Sequence, residues 1–279
     1  MKKLLTLIVA SIMAVSALFM TGCGSKVVEV NDQLGALTEV QAGTSDIAVI
    51  DSVMAGYYVS KDNFDDLMIL DGEDFTFESE YYAIGTRKDT NTAEYINYAL
   101  YLIQRNGTID EIAKKYGLED VLVEIPVPEK ELGLPEAGTD FAEIMENGKL
   151  VLGYTLFEPI AYEEDGELIG FDIDLAKAVC EEIGIELVCE KINWDTKEDE
   201  LNNKNIDVIW NGFTYTDERA ENINFTDFYL LNRQAIVIRK ADEDKYSTYA
   251  KMKGAKFVCE SESAGETTIR DIILPKTEA

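Results

Sequence analysis

Two charged side chains stand where their chemistry could recognise a small charged molecule. Arg219 follows Thr216, Asp217 and Glu218 on a loop that leaves a predicted strand. A guanidinium presents paired N–H donors that match the geometry of a carboxylate. Asp51 ends a predicted buried strand, and a carboxylate at that end of a strand, beside a crevice, suits an ammonium group.

Each of these side chains also has a plainer interpretation. An exposed Arg219 would pair with nearby Asp217 or Glu221. Asp51 would cap the helix that is predicted to begin near Val53, a role that aspartate often fills. The residues by themselves leave both interpretations open.

Composition argues against several other kinds of chemistry. The chain has no histidine, which removes Ser–His and Cys–His catalytic pairs and histidine-based metal sites. Cys180, Cys189 and Cys259 fit no zinc or thioredoxin spacing, so we expect no metal and no cofactor. We interpret them as small buried residues and leave a Cys180–Cys189 disulfide open. A net charge of −29 repels phosphate backbones and so disfavours nucleic-acid binding.

The N-terminus predicts export. Lys2 and Lys3 precede an apolar run over residues 4–20, which is typical of a signal peptide over residues 1–22. Cys23 follows directly and resembles the modified cysteine in the lipobox of bacterial lipoproteins. That resemblance implies cleavage before Cys23, a lipid on its sulfur and an extracytoplasmic location at the cell membrane. The alternative is a single-pass anchor helix, although polar residues dilute the apolar run.

Short β-rich runs alternate with helical runs along the rest of the chain. Strands are predicted at residues 27–30, 47–50, 81–86, 150–152, 187–192, 207–210, 235–239 and 257–260. Helices are predicted at residues 34–42, 53–59, 91–104, 108–116, 140–147, 173–183 and 265–273. The alternation predicts an α/β fold with parallel or mixed sheets covered by helices. Residues 117–138 are rich in proline and glutamate and predict an extended linker.

The segment after the linker resembles the first half of polar amino-acid binding proteins, the solute-binding subunits of ABC importers (bacterial solute-binding protein family 3). The resemblance rests on residues 147–153 (NGKLVLG), 158–162 (EPIAY), 168–176 (LIGFDIDLA), 206–220 (IDVIWNGFTYTDERA) and 225–227 (FTD). The segment before the linker resembles the second half of the same family. There the match rests on residues 42–51 (AGTSDIAVID), 82–88 (YAIGTRK) and 105–112 (RNGTIDEI).

The two halves therefore stand in reversed order, which a circular permutation explains. The resemblance implies a two-lobed, periplasmic-binding-protein-like (type II) fold in which each lobe is a mixed sheet flanked by helices. We assign the second lobe to residues 23–82 and 235–279, the first lobe to 140–234, its packed C-terminal helices to 83–118 and the linker to 119–139. A fragment of a tandem receptor would explain the reversed order equally well.

The resemblance also implies a ligand site between the lobes. Arg219 would hold the α-carboxylate of an amino acid, assisted by Thr214, Asn211 and Gly212. Asp51 would reach its α-amino group from the second lobe.

Four further positions complete the implied site. Phe157 and Trp194 would sandwich the ligand's side chain. Ser261 and Ser263 would lie on a second-lobe loop that donates to the carboxylate. This loop is usually glycine-rich in the family, whereas here glycine is missing and Glu262 brings a negative charge. The hinge would lie near residues 80–83 and 231–235.

The implied function is capture of a free amino acid by a monomer that delivers it to an ABC permease, with no reaction. One alternative is a dehydratase-like enzyme on the same fold that uses Glu158 or Glu262 as a carboxyl acid. Another is a ligand sensor or a fragment that does not take part in transport.

Overall fold

A computed structural model describes residues 25–278. The predicted signal peptide and the predicted lipid attachment at Cys23 lie outside the described residues. Within the described residues, no helix combines the length and the apolar composition that a membrane crossing needs.

The described chain alternates strands and helices. The strands are β1 (Lys26–Val30), β2 (Ile47–Asp51), β3 (Leu67–Ile69), β4 (Glu80–Tyr82), β5 (Gly85–Arg87), β6 (Lys149–Tyr154), β7 (Tyr162–Glu164), β8 (Glu167–Ile169), β9 (Glu186–Lys191), β10 (Val208–Ile209), β11 (Ile223–Phe225), β12 (Leu230–Asn232), β13 (Gln234–Arg239) and β14 (Lys256–Glu260). The α-helices are α1 (Gln33–Gln41), α2 (Ser52–Val59), α3 (Thr92–Arg105), α4 (Thr108–Tyr116), α5 (Asp140–Asn147), α6 (Phe171–Ile183), α7 (Lys197–Asn202), α8 (Asp217–Asn222), α9 (Ala264–Thr267) and α10 (Leu274–Glu278).

The second lobe is built on a sheet that combines both ends of the described chain. Its strand order is β1-β14-β2-β13-β3. β14 pairs in parallel with β1 and β2, whereas β13 runs antiparallel to β2 and β3. All five residues of β2 are buried, because helices cover both of its faces. The buried strand therefore delivers Asp51, its last residue, to the edge of the lobe.

The first lobe has its own five-stranded sheet, with the order β11-β5-β10-β6-β9. β6 pairs in parallel with β9 and β10, and β5 runs antiparallel to β10 and β11. Helices α3 and α4 pack against α6 and cover one face of the lobe. The fold is thus an α/β architecture of two mixed sheets flanked by helices, as the sequence predicts.

A buried ion-pair cluster ties the segments on either side of the linker together. The Arg87 guanidinium contacts Asp140 at 2.8 Å and Asp207 at 2.9 Å. It also donates to the carbonyl oxygen of Ile206 at 2.7 Å. Because Arg87 lies in β5 and Asp140 begins α5, this cluster fixes the start of α5 on the sheet.

Two short strands cross between the lobes as an antiparallel pair. β4 pairs with β12, so that Glu80 lies opposite Asn232 and Tyr82 opposite Leu230. The sequence predicts one strand over residues 81–86, and this prediction is wrong in one respect. The structure splits that run into β4 and β5, which belong to different sheets, because the chain turns at Ala83 from the crossing into the first lobe.

The three described cysteines form no disulfide. Cys180, Cys189 and Cys259 are free thiols, and the Cys180–Cys189 disulfide is not formed.

The linker carries one short 3-10 turn, Glu119–Val121, and is otherwise irregular. Its early part lies on the first lobe, since Ile125 is buried and its backbone N–H donates to the side chain of Gln104 at 2.7 Å.

Candidate functional site

A small cavity lies between the two lobes and collects most of the predicted site residues. The first lobe lines it with Phe157, Trp194, Asn211, Gly212, Thr214 and Arg219, and the second lobe lines it with Gln33, Asp51, Glu260, Ser263 and Ala264. Eight of the nine predicted ligand-binding residues therefore share one cavity. Ser261 is the exception: it is half-buried and its backbone N–H donates to the carbonyl oxygen of Val30, which extends the pairing of β1 with β14.

Arg219 is held by its own helix start and by the opposite lobe. Thr216 caps α8 by accepting the Arg219 backbone N–H at 3.1 Å. The Arg219 guanidinium donates to the carbonyl oxygen of Thr214 at 2.7 Å and to that of Glu262, in the second lobe, at 3.0 Å. It lies 4.8 Å from the centre of the Phe213 ring. The structure records no salt bridge from Arg219 to any described residue, Asp217 and Glu221 included, so its charge lacks a protein carboxylate partner.

Asp51 is enclosed by side-chain amides. Its carboxylate accepts hydrogen bonds from Gln33, from Asn232 and, at 2.8 Å, from Gln234. Burial raises the pKa of Asp51, and the three amide donors counteract part of that shift. Although Asp51 occupies the capping position of α2, its side chain makes no capping hydrogen bond, so the capping interpretation does not describe its contacts.

Glycine is required at position 212. A Cβ atom built there would lie 2.6 Å from the Phe157 ring, and the φ angle of +58° is one that side chains disfavour. The Gly212 N–H donates to Asp172 at 2.6 Å, and the same carboxylate oxygen accepts the Tyr229 hydroxyl at 2.9 Å. Burial raises the pKa of Asp172 to about 7. Asp172 thus positions the main chain that forms the floor of the cavity.

The aromatic residues and Asn211 leave polar atoms without protein partners. Trp194 packs edge-on against Phe213 with ring centres 5.5 Å apart. The Asn211 amide nitrogen donates to Thr155 at 2.8 Å. The indole N–H of Trp194 and the side-chain oxygen of Asn211 are buried and make no hydrogen bond within the described part of the chain. Buried polar groups usually have partners, so these two atoms leave hydrogen-bonding capacity in the cavity wall.

The second-lobe loop after β14 has a left-handed backbone conformation at Glu262, which glycine adopts more readily than other residues. Glu262 adopts a φ of +55°, in the left-handed region. Glu262 is exposed and is not one of the residues that line the cavity, whereas its carbonyl oxygen accepts a hydrogen bond from Arg219. Ser263 caps α9 by accepting the Glu266 N–H at 3.2 Å, and its hydroxyl donates to the carbonyl oxygen of Glu260 at 2.7 Å.

Two carboxylates near Asp51 were not predicted as site residues. Glu260 lines the cavity, and Glu80 accepts hydrogen bonds from Gln234 at 2.9 Å and Asn232 at 3.3 Å. Burial, followed by repulsion from Asp51, raises the pKa of Glu80 to about 7 and that of Glu260 to about 8. Glu80 begins β4 and Glu260 ends β14, and in the sequence both look like ordinary polar residues at the end of a strand.

Tyr57, Tyr58 and Glu158 form a second connection between the lobes, which we call the cleft clasp. The two hydroxyls, both on α2, donate to the two oxygens of Glu158 at 2.6 Å and 2.7 Å. Glu158 follows Phe157 in the first lobe, so the clasp lies beside the cavity. Both oxygens of Glu158 are therefore engaged, and the other carboxyl group of the dehydratase alternative, Glu262, is exposed.

The arrangement suits a zwitterion. A cationic guanidinium faces the cavity from one lobe and a carboxylate faces it from the other. Burial strengthens the attraction between each of these charges and an opposite charge on a ligand, because fewer water molecules screen it. Within residues 25–278, no group of three or more cysteine or acidic side chains is arranged to hold a metal ion.

Part of the chain is similar to known solute-binding proteins. Residues 150–273 match the family model of bacterial extracellular solute-binding proteins, family 3. The matched segment covers less than half of the chain and runs from β6 in the first lobe to the C-terminal part of the second lobe.

The individual relatives bind amino acids. The chain is 28% identical over 116 residues to the L-cystine-binding protein TcyJ of Escherichia coli (strain K12), covering 41% of this chain and 44% of that protein. It is 31% identical over 118 residues to the ABC transporter arginine-binding protein 1 of the same strain, covering 42% and 46%. The chain therefore spans less than half the length of these curated relatives. Each of these relatives is named for the amino acid that it binds.

A solved structure adds a similar match. The arginine-bound form of domain 1 from TmArgBP is 33% identical, with 37% of this chain and 88% of that chain covered and a TM-score of 0.30.

Proposed function

We propose that this chain is an extracytoplasmic solute-binding lipoprotein that captures one free amino acid between its lobes and delivers it to an ABC importer. One observation carries the proposal: Arg219 and Asp51 line the same cavity from opposite lobes. A free α-amino acid has a carboxylate for the first and an ammonium group for the second.

The remaining lining residues fit such a ligand. Thr214 and the loop at Asn211 and Gly212 lie next to Arg219, where they would share the ligand's carboxylate with it. Trp194 and Phe157 would contact the side chain with apolar ring faces. Ser263 would complete the carboxylate contacts from the second lobe, whereas Ser261 has no place in this scheme.

The site works by closure. Asp51 and Ser263 reach the ligand only when the lobes are together, so a ligand bound to the first lobe shifts the hinge equilibrium toward the closed form. The contact between Arg219 and the Glu262 carbonyl, together with the cleft clasp, links the lobes in the closed form. No reaction follows in this proposal, and the amino-acid-binding names of the relatives support binding without catalysis.

A circular permutation explains the reversed order of the halves. Strands from the early and late parts of the described chain interleave in one second-lobe sheet, which supports the permuted order. Urea unfolding of the mature chain in isolation tests this directly. A cooperative transition with coincident near- and far-ultraviolet circular dichroism is expected, and a second lobe that melts separately without a partner chain would contradict the permutation.

The lipid anchor would hold the receptor next to its permease. Cys23 is the attachment site that the lipobox resemblance implies. Cys23→Ala should move the protein from the membrane fraction to the soluble fraction of the producing cell. Retention of this variant in the membrane would refute the anchor and leave the binding site untouched.

Calorimetric titration against all twenty amino acids tests the ligand site. We expect wild type to bind at least one of them and Arg219→Ala to lose about 2–5 kcal/mol of binding free energy, because a buried charge pair is broken. Arg105→Ala is the matched control, since Arg105 is exposed on α3, away from the cavity. Unchanged affinity in Arg219→Ala would remove the carboxylate assignment, and absence of all binding by wild type would remove the proposal.

A further inference from the structure

Glu260 brings an additional negative charge to the cavity. It is the last residue of β14 and only 6% of its surface is exposed. It lines the same cavity as Asp51 and Arg219. The residue is therefore more than nine-tenths buried and lines the space between the lobes.

The charges of an ordinary amino acid leave Glu260 without a partner. The α-carboxylate would use Arg219 and the α-ammonium group would use Asp51. Glu260 forms no salt bridge within the described residues. A buried charge without a partner is costly, so either Glu260 stays protonated or the ligand supplies a second cation.

The charged groups that face Glu260 are mainly acidic. Asp51 and Asp32 repel its ionised form, and together with burial they raise its pKa to about 8. A hydrogen bond with the Gln33 side chain and, to a smaller extent, the positive charge of Lys197 counteract this shift. The Lys197 ammonium group donates to the Trp194 carbonyl oxygen at 3.1 Å and lies 4.9 Å from the Trp194 ring. Lys197 is thus held against the aromatic wall and is absent from the cavity lining.

We propose, resting on the function proposed above, that Glu260 determines specificity and that the ligand is an amino acid with a second positive charge on its side chain, of the arginine or lysine class. An acidic side chain would face both Asp51 and Glu260, and like charges in a buried site repel strongly. A neutral side chain would leave Glu260 unpaired. The rings of Trp194 and Phe157 suit the aliphatic part of such a side chain and tolerate its charge.

The test compares charged ligands with uncharged analogues of the same shape. Calorimetry measures wild type with L-arginine against L-citrulline and with L-lysine against L-norleucine. Glu260→Gln removes the charge and preserves the size of the side chain. Glu182→Gln is the control for the change in net charge, because Glu182 is exposed on α6. Wild type and the control should prefer one charged ligand over its analogue by roughly 30-fold, and Glu260→Gln should reduce that preference to about threefold or less.

A second readout follows the proton on Glu260. At pH 7 a cation bound beside Glu260 drives the carboxyl group to ionise, so wild type should release protons on binding. The dependence of the binding enthalpy on the ionisation enthalpy of the buffer measures that release. Glu260→Gln should release fewer protons, whereas Glu182→Gln should match wild type.

The outcomes separate this inference from the proposed function. Equal affinity of wild type for the charged ligand and its neutral analogue overturns the specificity role while leaving amino-acid binding intact. A preference that survives in Glu260→Gln also overturns it. If wild type binds no amino acid at all, the proposed function fails and this inference fails with it.

Discussion

Removing the cleft clasp should open the lobes and weaken ligand binding. Glu158 accepts the Tyr57 and Tyr58 hydroxyls at 2.6 Å and 2.7 Å. Burial and the neighbouring carboxylate raise the pKa of both tyrosines, so both hydroxyls remain protonated donors at neutral pH. Because these bonds join the two lobes, they stabilise only the closed form.

The size of the effect follows from the two bonds. A hydrogen bond to a charged group contributes about 1.5–3 kcal/mol net, and these sites are only partly buried, so we expect about 3 kcal/mol for the pair. Each 1.4 kcal/mol corresponds to a factor of ten, so Glu158→Ala should weaken ligand affinity on the order of a hundredfold. Glu158→Gln retains one acceptor oxygen and should lose roughly half of that free energy.

Calorimetry with the amino acid that wild type binds most tightly measures the loss, and small-angle X-ray scattering of the ligand-saturated protein reports closure. The double variant Tyr57→Phe/Tyr58→Phe should lose about as much ligand affinity as Glu158→Ala. The triple variant that combines all three substitutions should bind the ligand no more weakly than either. Tyr98→Phe, on α3 in the first lobe, is the matched control for loss of a tyrosine hydroxyl.

Two results would refute this reasoning. A change in affinity below about threefold in Glu158→Ala would show that the clasp contributes little to closure. Fully additive losses in the triple variant would show that the tyrosines and Glu158 act through different partners.

Three further predictions concern stability and the cavity floor. Arg87→Met should lower the free energy of unfolding by about 3–5 kcal/mol, measured by urea denaturation, because it removes the guanidinium that pairs with the largely buried carboxylates of Asp140 and Asp207. A loss below about 1 kcal/mol would contradict this. Gly212→Ala should abolish binding in calorimetry while the protein stays folded by circular dichroism, because the added methyl group clashes with the wall of the cavity; wild-type affinity would refute it. The folded-state pKa values of Glu80 and Asp172 are about 7 and that of Glu260 is about 8, all above their ordinary values, so the folded form holds protons that the unfolded form releases. Ligand-free stability should therefore fall as pH rises from about 4.5 to about 8, and greater stability at pH 8 than at pH 5 in urea titrations would exclude these shifts.

Sequence motifs located the charged residues that stand at the ends of recognisable elements. Arg219 follows a distinctive loop. Asp51 is the last residue of a strand whose other residues are apolar and whose residues are all buried. Both lie in the cavity as that reasoning expects, although their role in binding stays a prediction. The family resemblance implies a binding role for Ser261 because it belongs to the same loop as Ser263. The structure separates them, because Ser261 still follows the pairing of β1 with β14 whereas Ser263 has turned into the cap of α9.

The remaining site features depend on tertiary contacts that no local pattern contains. The cleft clasp joins residues about a hundred positions apart, and the pair of tyrosines on α2 looks like an ordinary helix face in the sequence. Glu260 looks like a solvated strand end until the fold buries it. The amides around Asp51 come from α1, β12 and β13, and only the folded sheet brings them together. The spacing of apolar residues therefore predicts the helices and strands. The burial of charged side chains depends on how those helices and strands pack together.

The interleaved sheet of the second lobe dictates an order of events during synthesis. No two of β1, β2 and β3 are neighbours in that sheet, since β14 and β13 separate them. The emerging N-terminal segment therefore has open backbone edges until residues 234–260 have left the ribosome, whereas the strands of the first lobe are all present by residue 225. Unpaired edges invite wrong pairing. The strands of the first lobe can consequently pair before those at the beginning of the chain, and β1, β2 and β3 lack their neighbours in the sheet until β13 and β14 have emerged.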